Sequence, residues 1–126
     1  GQDIFYKSIE STSYLKYFWS KYKINKSYKS TKDLIDEYDL DAFIGLTRGP
    51  AWKINYDGGD NVAMNNSLEF SSGGYAAHNG MPHITIPYFE IDSFPVGISI
   101  IGDRWTDKSI IGYASAIEKT RYNLEN

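Results

Sequence analysis

The stretch "HITIPYFEIDSFPVGISIIG", His83 to Gly102, carries the strongest secondary-structure signal in the chain. It opens with the apolar run "HITIP" and closes with the run "FPVGISIIG", and both contain the β-branched and aromatic residues that strands favour. The residues between them, Glu90 to Ser93, form a connection short enough for a hairpin. The stretch therefore predicts two buried strands joined to each other.

Helices are predicted on both sides of this pair of strands. After it, Thr106 or Asp107 is expected to begin a helix, and Ile110, Ala114 and Ile117 line one face of that helix. Before it, a helix is predicted over residues 66–79, beginning near Asn66 or Ser67 and ending near Asn79 and Gly80. Such helices would cover the strands.

The first third of the chain is predicted to hold two helices and a strand. Residues 3–23 show apolar spacing near three and four, but the apolar residues fall on more than one side and so need cover on more than one side. Residues 24–30 are polar and lysine-rich, which predicts a loop. Ser30 and Asp33 resemble a capping box that opens a second helix through Tyr38. "LDAFIGLT", Leu40 to Thr47, is then a short apolar strand.

The predicted order of elements is α-α-β-α-β-β-α, which favours an α/β fold. The expected architecture is a partial α/β/α sandwich with a short mixed sheet flanked by helices. The length of 126 residues suits one domain, so residues 1–126 are interpreted as a single domain or a fragment of one. Within it, residues 1–29 form the predicted first helix and lysine-rich loop.

Composition narrows the classes of function. The chain is 41% hydrophobic and 23% charged with a net charge of -3, so it lacks the basic excess that nucleic-acid binding needs. Lysines interleaved with tyrosines near the start could bind RNA, although a helix and solvated loop is the favoured interpretation. No apolar run approaches 18 residues, so no membrane partner is predicted. The compartment is left open, because any signal would lie upstream.

Cysteine is absent and only two histidines are present, which excludes thiol chemistry and disfavours a metal site. The loop Asp57 to Asn61 resembles a calcium loop but lacks the alternating oxygen ligands, so a plain turn is favoured. Ser72, His78 and Asp92 could in principle form a catalytic triad. No Gly-x-Ser-x-Gly elbow accompanies them, and small residues that let a helix pack on the sheet are the favoured alternative.

Three blocks of sequence follow one another along the chain. They are "DLDAFIGLTRGPAW", "YAAHNGMPHITIP" and "FPVGISIIGDRWTDKSIIGYASAIE". In the spans Asp41 to Trp52, Gly80 to Pro87 and Phe94 to Glu118, these blocks closely resemble the C-terminal part of the amidase signature family. Met81 and His83 depart from the usual second block. The resemblance covers about residues 30–120.

The resemblance implies an enzyme that hydrolyses or transfers carboxamide groups without a cofactor. Members of the family use a serine nucleophile, a second serine in a cis peptide bond and a lysine base, and need no metal. Those three residues belong to a region upstream of the blocks matched here. The resemblance therefore implies that this chain holds no catalytic residue and is inactive alone, and that its partner is the missing N-terminal part of the amidase.

Three residues are predicted to line a substrate pocket, and two other functions stay open as alternatives. Thr47, Arg48 and Trp52 lie at the end of a strand and in the loop after it, where ligands often bind in open α/β sheets, so they are candidates for contacts with a small-molecule amide substrate in the complete protein. One alternative is a non-catalytic binding or interaction module derived from the same fold. Another, less favoured, is an amidotransferase subunit that generates amidated aminoacyl-tRNA. Exposed apolar surface would also favour self-association of the fragment.

Overall fold

The computed structural model of the chain describes residues 2–10, 13–65 and 71–125. The elements, in chain order, are α1 (Asp3–Glu10), α2 (Tyr14–Tyr38), β1 (Ala42–Leu46), α3 (Gly59–Asn65), α4 (Gly73–Asn79), β2 (His83–Ile91), β3 (Phe94–Gly102) and α5 (Asp107–Glu125). This mixture of helices and strands confirms the α/β class, and α3 is an addition to the predicted order. In this part of the chain, no helix is both long and apolar enough to cross a membrane.

The three strands form one sheet in the order β1-β3-β2, so the most apolar strand lies at the centre. Both pairings with β3 are antiparallel. The prediction of a mixed sheet was therefore wrong for the described strands, because β3 runs back between two strands that share one direction. The predicted α/β layering is unaffected by this difference.

The predicted hairpin between β2 and β3 is confirmed. Ile91 pairs with Phe94, which leaves Asp92 and Ser93 as a two-residue turn. Both turn residues have positive φ, 51° and 65°. Two left-handed residues give a turn whose twist matches that of the paired strands, which explains how a tight turn forms here without glycine.

One face of the sheet packs against α5. Ile86, Ile98 and Ile100 form a buried cluster with Ile110 and Ala114 of the helix. Side chains alternate along a strand, so the even-numbered isoleucines of β3 share this face. The apolar face predicted for the last helix is thereby confirmed.

The opposite face of the sheet packs against α2 and α4. Ile101 contacts a second buried cluster that contains Ile35 of α2, Ala76 of α4 and Met81. The sheet therefore lies between α5 on one side and the two other helices on the other side. This gives the partial α/β/α sandwich that the sequence predicts.

The predicted lysine-rich loop at residues 24–30 was wrong, since α2 runs through that segment without interruption. The segment contains neither glycine nor proline, and its lysines are good helix formers. Thr31 and Ile35 continue the helical spacing and are both buried.

The predicted helix starts were also wrong. The helix predicted over residues 3–23 is divided, since α1 ends at Glu10 and α2 begins at Tyr14, and Ser30 lies inside α2 and does not open a helix. The cap of α2 is Ser13, whose side chain accepts a hydrogen bond from the backbone nitrogen of Lys16. The end of α2 at Tyr38 agrees with the prediction.

A cluster around Asp103 fastens α2 to the loop that follows β3. The Tyr28 hydroxyl donates to Asp103 Oδ1 at 2.6 Å, and Lys32 Nζ lies 3.2 Å from Oδ2. The Arg104 guanidinium stacks over the Tyr28 ring at 3.6 Å and donates through Nε to the backbone oxygen of Asn79. Partial burial raises the pKa of Asp103, but hydrogen bonds from Tyr28, the Arg104 backbone and Lys32 outweigh it and hold that pKa below its usual value.

Replacing Asp103 with asparagine should lower the free energy of unfolding by about 1–3 kcal/mol at neutral pH, because bonds to a charged acceptor are lost. The folded carboxylate has the lower pKa, so its contribution is complete above its ordinary value near 3.8 and disappears as the pH falls through the folded value. Urea unfolding at several pH values should therefore show the difference between wild type and Asp103→Asn shrinking below about pH 4.

Asp36→Asn is the matched control for this variant. Its carboxylate also contacts Lys32, at 2.6 Å, but its side chain is 62% exposed. Exposed pairs of this kind contribute about 0–1 kcal/mol. An Asp103→Asn difference that stays constant from neutral pH to pH 3 would contradict the role assigned to the Asp103 carboxylate.

Candidate functional site

The loop that leaves the end of β1 is held by backbone hydrogen bonds on both sides of Thr47. The backbone nitrogen of Thr47 donates to Gly97 O at 2.9 Å, and the backbone nitrogen of Ser72 donates to Thr47 O at 3.1 Å. The Ser72 hydroxyl donates to the backbone oxygen of Leu46. The start of the loop is thus fixed between β3 and the residue that precedes α4.

A row of polar side chains lies beneath this loop, on the face of the sheet that also carries Ile101. His83 Nε2 lies 2.6 Å from Ser99 Oγ, and Ser99 Oγ donates to Thr47 Oγ1 at 2.9 Å. Thr47 Oγ1 in turn donates to Thr85 Oγ1 at 3.3 Å. Ser99 is completely buried. A buried polar group needs its partners, so this row fixes the side chain of Thr47 as firmly as its backbone.

The direction of these hydrogen bonds decides what the row can do chemically. With Ser99 Oγ donating its single proton to Thr47 Oγ1, the tautomer of His83 that completes the row is the one that donates through Nε2. A histidine that activates a serine has to accept that serine's proton through an unprotonated nitrogen. Ser99 and His83 are therefore arranged as a positioning pair, and not as a nucleophile with its base.

The three predicted pocket-wall residues lie together at the end of β1. Arg48 follows Thr47 directly, and its guanidinium lies 4.6 Å from the centre of the Trp52 ring, within the range of a cation–π contact. All three side chains are half-buried. Arg48 also forms an isolated backbone bridge with Ser71. The structure thus provides a fixed, partly open wall of one hydroxyl, one cation and one indole, and its contact with a substrate stays a prediction.

The alternative triad of Ser72, His78 and Asp92 does not form. Ser72 donates to Leu46 O, whereas His78 Nδ1 lies 2.6 Å from the backbone oxygen of Gly74. Asp92 lies in the β2–β3 turn.

Ser72 precedes α4, which is a short helix from Gly73 to Asn79. The predicted start of that helix near Asn66 or Ser67 lies outside the described residues. A helix through Ser71 and Ser72 was wrong, because Ser71 forms a bridge with Arg48 and the helix begins at Gly73. Its predicted end at Asn79 and Gly80 is confirmed.

The segment that resembles a calcium loop is a turn only at Asp57 and Gly58 and continues as a helix. Asn55 Oδ1 accepts hydrogen bonds from the backbone nitrogens of Asp57 and Gly58, at 3.1 and 2.7 Å. Helix α3 then begins at Gly59, which the sequence did not predict. Within residues 2–10, 13–65 and 71–125, no group of three or more histidine, aspartate or glutamate side chains could hold a metal ion.

Comparison with known proteins places this geometry in context. No protein-family model matches the chain, and no curated protein matches its sequence. Two solved peptide amidases do match. The native peptide amidase of Stenotrophomonas maltophilia is 28% identical over 70% of this chain with a TM-score of 0.56. The peptide amidase PAM, in complex with the competitive inhibitor chymostatin, is 32% identical over 68% with a TM-score of 0.58.

The fold resembles part of a peptide amidase. The matched region is only 16% of the length of each of those two enzymes. A third structure, PAM12A, matches 97% of this chain with a TM-score of 0.73 at 24% identity, and the match spans 24% of that protein. The likeness therefore concerns a minor share of a much longer fold.

The Ser99–His83 pair was missed by sequence reasoning, although a signal for it exists. In "HITI" and "ISII" one polar residue alternates with isoleucine, which places His83, Thr85 and Ser99 on the same face of adjacent strands. Thr85 and Ser99 are direct partners across the sheet. A row of polar positions on one face was legible, but which hydroxyl bonds which group depends on the register.

Proposed function

We propose that this chain is the C-terminal structural part of an amidase that hydrolyses carboxamide bonds, and that the residues of acyl transfer lie outside it. The observation that carries the proposal is the match to two peptide amidases at 28% and 32% identity, with TM-scores of 0.56 and 0.58. The three sequence blocks that resemble the amidase signature family support it independently. The partner of this part is then the N-terminal part of the same enzyme.

The chemistry of the described side chains supports inactivity of the chain alone. A lysine that serves as a base needs a lowered pKa. Hydrogen bonds from Lys32 to Asp36, and then to Asp103, raise its pKa instead. The other described lysines are exposed to solvent and do not lie in a desolvated site. Ser99 is buried with its proton engaged, so it is not available for attack.

Thr47, Arg48 and Trp52 would supply one wall of the substrate cleft in the complete enzyme. Their side chains are half-buried and follow the end of β1, with Arg48 over the Trp52 ring, so each keeps part of its surface open to a ligand. The row His83, Ser99 and Thr47 supports this role, because it holds the start of the loop in one arrangement. Fixed surroundings of this kind favour orientation of a substrate.

The experiment compares the chain with the same chain extended at its N-terminus by the coding sequence that precedes residue 1. Ammonia release is measured with a C-terminally amidated peptide and with a simple carboxamide as substrates. The extended protein is expected to release ammonia and the chain alone is not. Hydrolysis by the chain alone would overturn the proposal, and an extended protein that binds the amides without hydrolysing them would favour the non-catalytic module.

A further inference from the structure

The first half of α2 is an exposed helical arm, defined here as residues Tyr14–Ser27, none of which is buried. Four large apolar side chains recur along it at spacings of three and four and form one stripe. They are Leu15, Phe18, Trp19 and Tyr22, with exposed fractions of 75%, 62%, 62% and 58%. Tyr17 and Ile24 lie on another side of the helix and are also exposed. A helix that is apolar on two sides is typical of an element covered by protein.

The arm is held at a fixed angle because its base is anchored. Tyr28 bonds to Asp103, and Thr31 Oγ1 is hydrogen-bonded to the hydroxyl of Tyr75 on α4. Ile35 is buried in the cluster with Ala76 one turn further on. The arm continues this anchored helix for 14 residues, about 20 Å at 1.5 Å per residue. An apolar stripe on a fixed support is suited to dock against a preformed surface.

The charge of the arm indicates what kind of surface would cover it. The arm contains Lys16, Lys21, Lys23 and Lys26 and no acidic residue, whereas the rest of the chain has nine basic and 16 acidic residues. Two arms placed side by side would bring like charges together, which is unfavourable. A complementary surface has an apolar centre and carboxylates around it.

The fold comparison indicates that the arm belongs to a longer fold. PAM12A matches 97% of this chain, so the match takes in most of the 25 residues of α2, and it spans only 24% of that protein. The arm is thus an element of a much longer fold. We propose that the arm docks on the part of the amidase that precedes this chain, on an apolar surface rimmed by carboxylates. This inference rests on the proposed function, since it takes the remainder of the amidase as the partner.

The test follows Trp19 as the only tryptophan, in a background in which every other tryptophan of the protein measured, Trp52 and Trp105 included, is replaced by phenylalanine. Acrylamide quenching of its fluorescence is measured in the chain alone and in the N-terminally extended protein. The quenching constant is expected to fall several-fold in the extended protein and the emission to move to shorter wavelengths. Phe18→Asp should restore quenching. Ser20→Asp, which lies off the stripe and next to Tyr17 and Ile24, should leave it low, because the stripe carries the docking. Hydrogen exchange of residues 14–27 in the unsubstituted proteins gives the same comparison without the tryptophan replacements.

The outcomes separate this inference from the proposed function. An extended protein that hydrolyses amides while Trp19 stays open to quencher would overturn the docking of the arm and leave the function standing. Protection of Trp19 without hydrolysis would support the docking and count against the function. Protection of Trp19 in the chain alone, rising with its concentration or on addition of phosphatidylserine vesicles, would assign the arm to a second copy or a membrane and overturn the inference.

Discussion

Replacing Ile100 with alanine is expected to lower the free energy of unfolding by about 2–5 kcal/mol. Ile100 is only 2% exposed and lies in β3, the central strand, in the cluster with Ile110 and Ala114 of α5. The substitution removes apolar contacts and leaves a cavity between the sheet and α5. Denaturant unfolding followed by circular dichroism measures the loss. In so small a core, a loss of this size is a large share of the total stability.

Ile44 supplies the matched control, because it is the partner of Ile100 across the sheet. The two residues have the same side chain and face the same side, but Ile44 is 64% exposed. Ile44→Ala should therefore change the free energy of unfolding by well under half as much as Ile100→Ala, since little of its surface leaves water on folding. Equal losses in the two variants would contradict the assignment of Ile100 to the core.

Replacing Gly97 with alanine should destabilise the chain by about 1–3 kcal/mol and disturb the candidate site. A Cβ atom there would lie 2.7 Å from Thr85 Cγ2 and 3.2 Å from both Ile86 O and Thr47 Oγ1. The backbone oxygen cannot move without breaking the sheet, so Thr85 and Thr47 must shift. Denaturant unfolding measures the loss of stability, and the ring NMR signals of His83 should move because its hydrogen-bonded row ends at the same threonines.

Gly112→Ala is the matched control for this substitution. Gly112 lies inside α5, and nothing stands within 4 Å of a Cβ added to it. Alanine is the better helix former, so the variant should be more stable by up to about 1 kcal/mol. The same chemical change is thus expected to have opposite signs at the two positions. A stabilising Gly97→Ala would contradict the close packing between β3, β2 and the Thr47 loop.

The sheet and the last helix could be predicted from the sequence because their signals are local. The alternation of apolar and polar residues within residues 83–102, and the short connection from Glu90 to Ser93, are enough to define two paired strands. Strand direction could not be predicted in this way, because it depends on which strand β1 pairs with. The parallel and antiparallel arrangements bury the same apolar faces, and this is why a mixed sheet was predicted where β1 runs antiparallel to β3.

The lysine-rich segment of α2 was misread for a physical reason. Its polarity indicates exposure to solvent, and residues 24–30 are exposed apart from the half-buried Tyr28. Exposure does not prevent a helix that is anchored elsewhere. Tyr28, Thr31 and Ile35 supply that anchor through contacts with Asp103, Tyr75 and Ala76, which are distant in sequence. A pattern confined to seven residues carries no information about such contacts.

The candidate site could also be predicted only in part from the sequence. Thr47, Arg48 and Trp52 could be proposed from their place after a strand, and the structure joins Arg48 to Trp52 by a cation–π contact. The buried row of Ser99, His83 and Thr47 could not, because it requires the register of β1, β3 and β2 together. The row explains why a polar face persists in an otherwise apolar sheet.

Mapping the reactive serine of the N-terminally extended protein tests the central claim most directly. A fluorophosphonate phosphonylates an activated serine, and digestion followed by mass spectrometry locates the label beside the ammonia-release assay. The account predicts that inhibition coincides with one label upstream of residue 1, and that Ser71, Ser72 and Ser99 stay unmodified. A label on any of these three serines, lost together with hydrolysis in the corresponding alanine variant, would contradict the account, because the nucleophile would then lie in this chain.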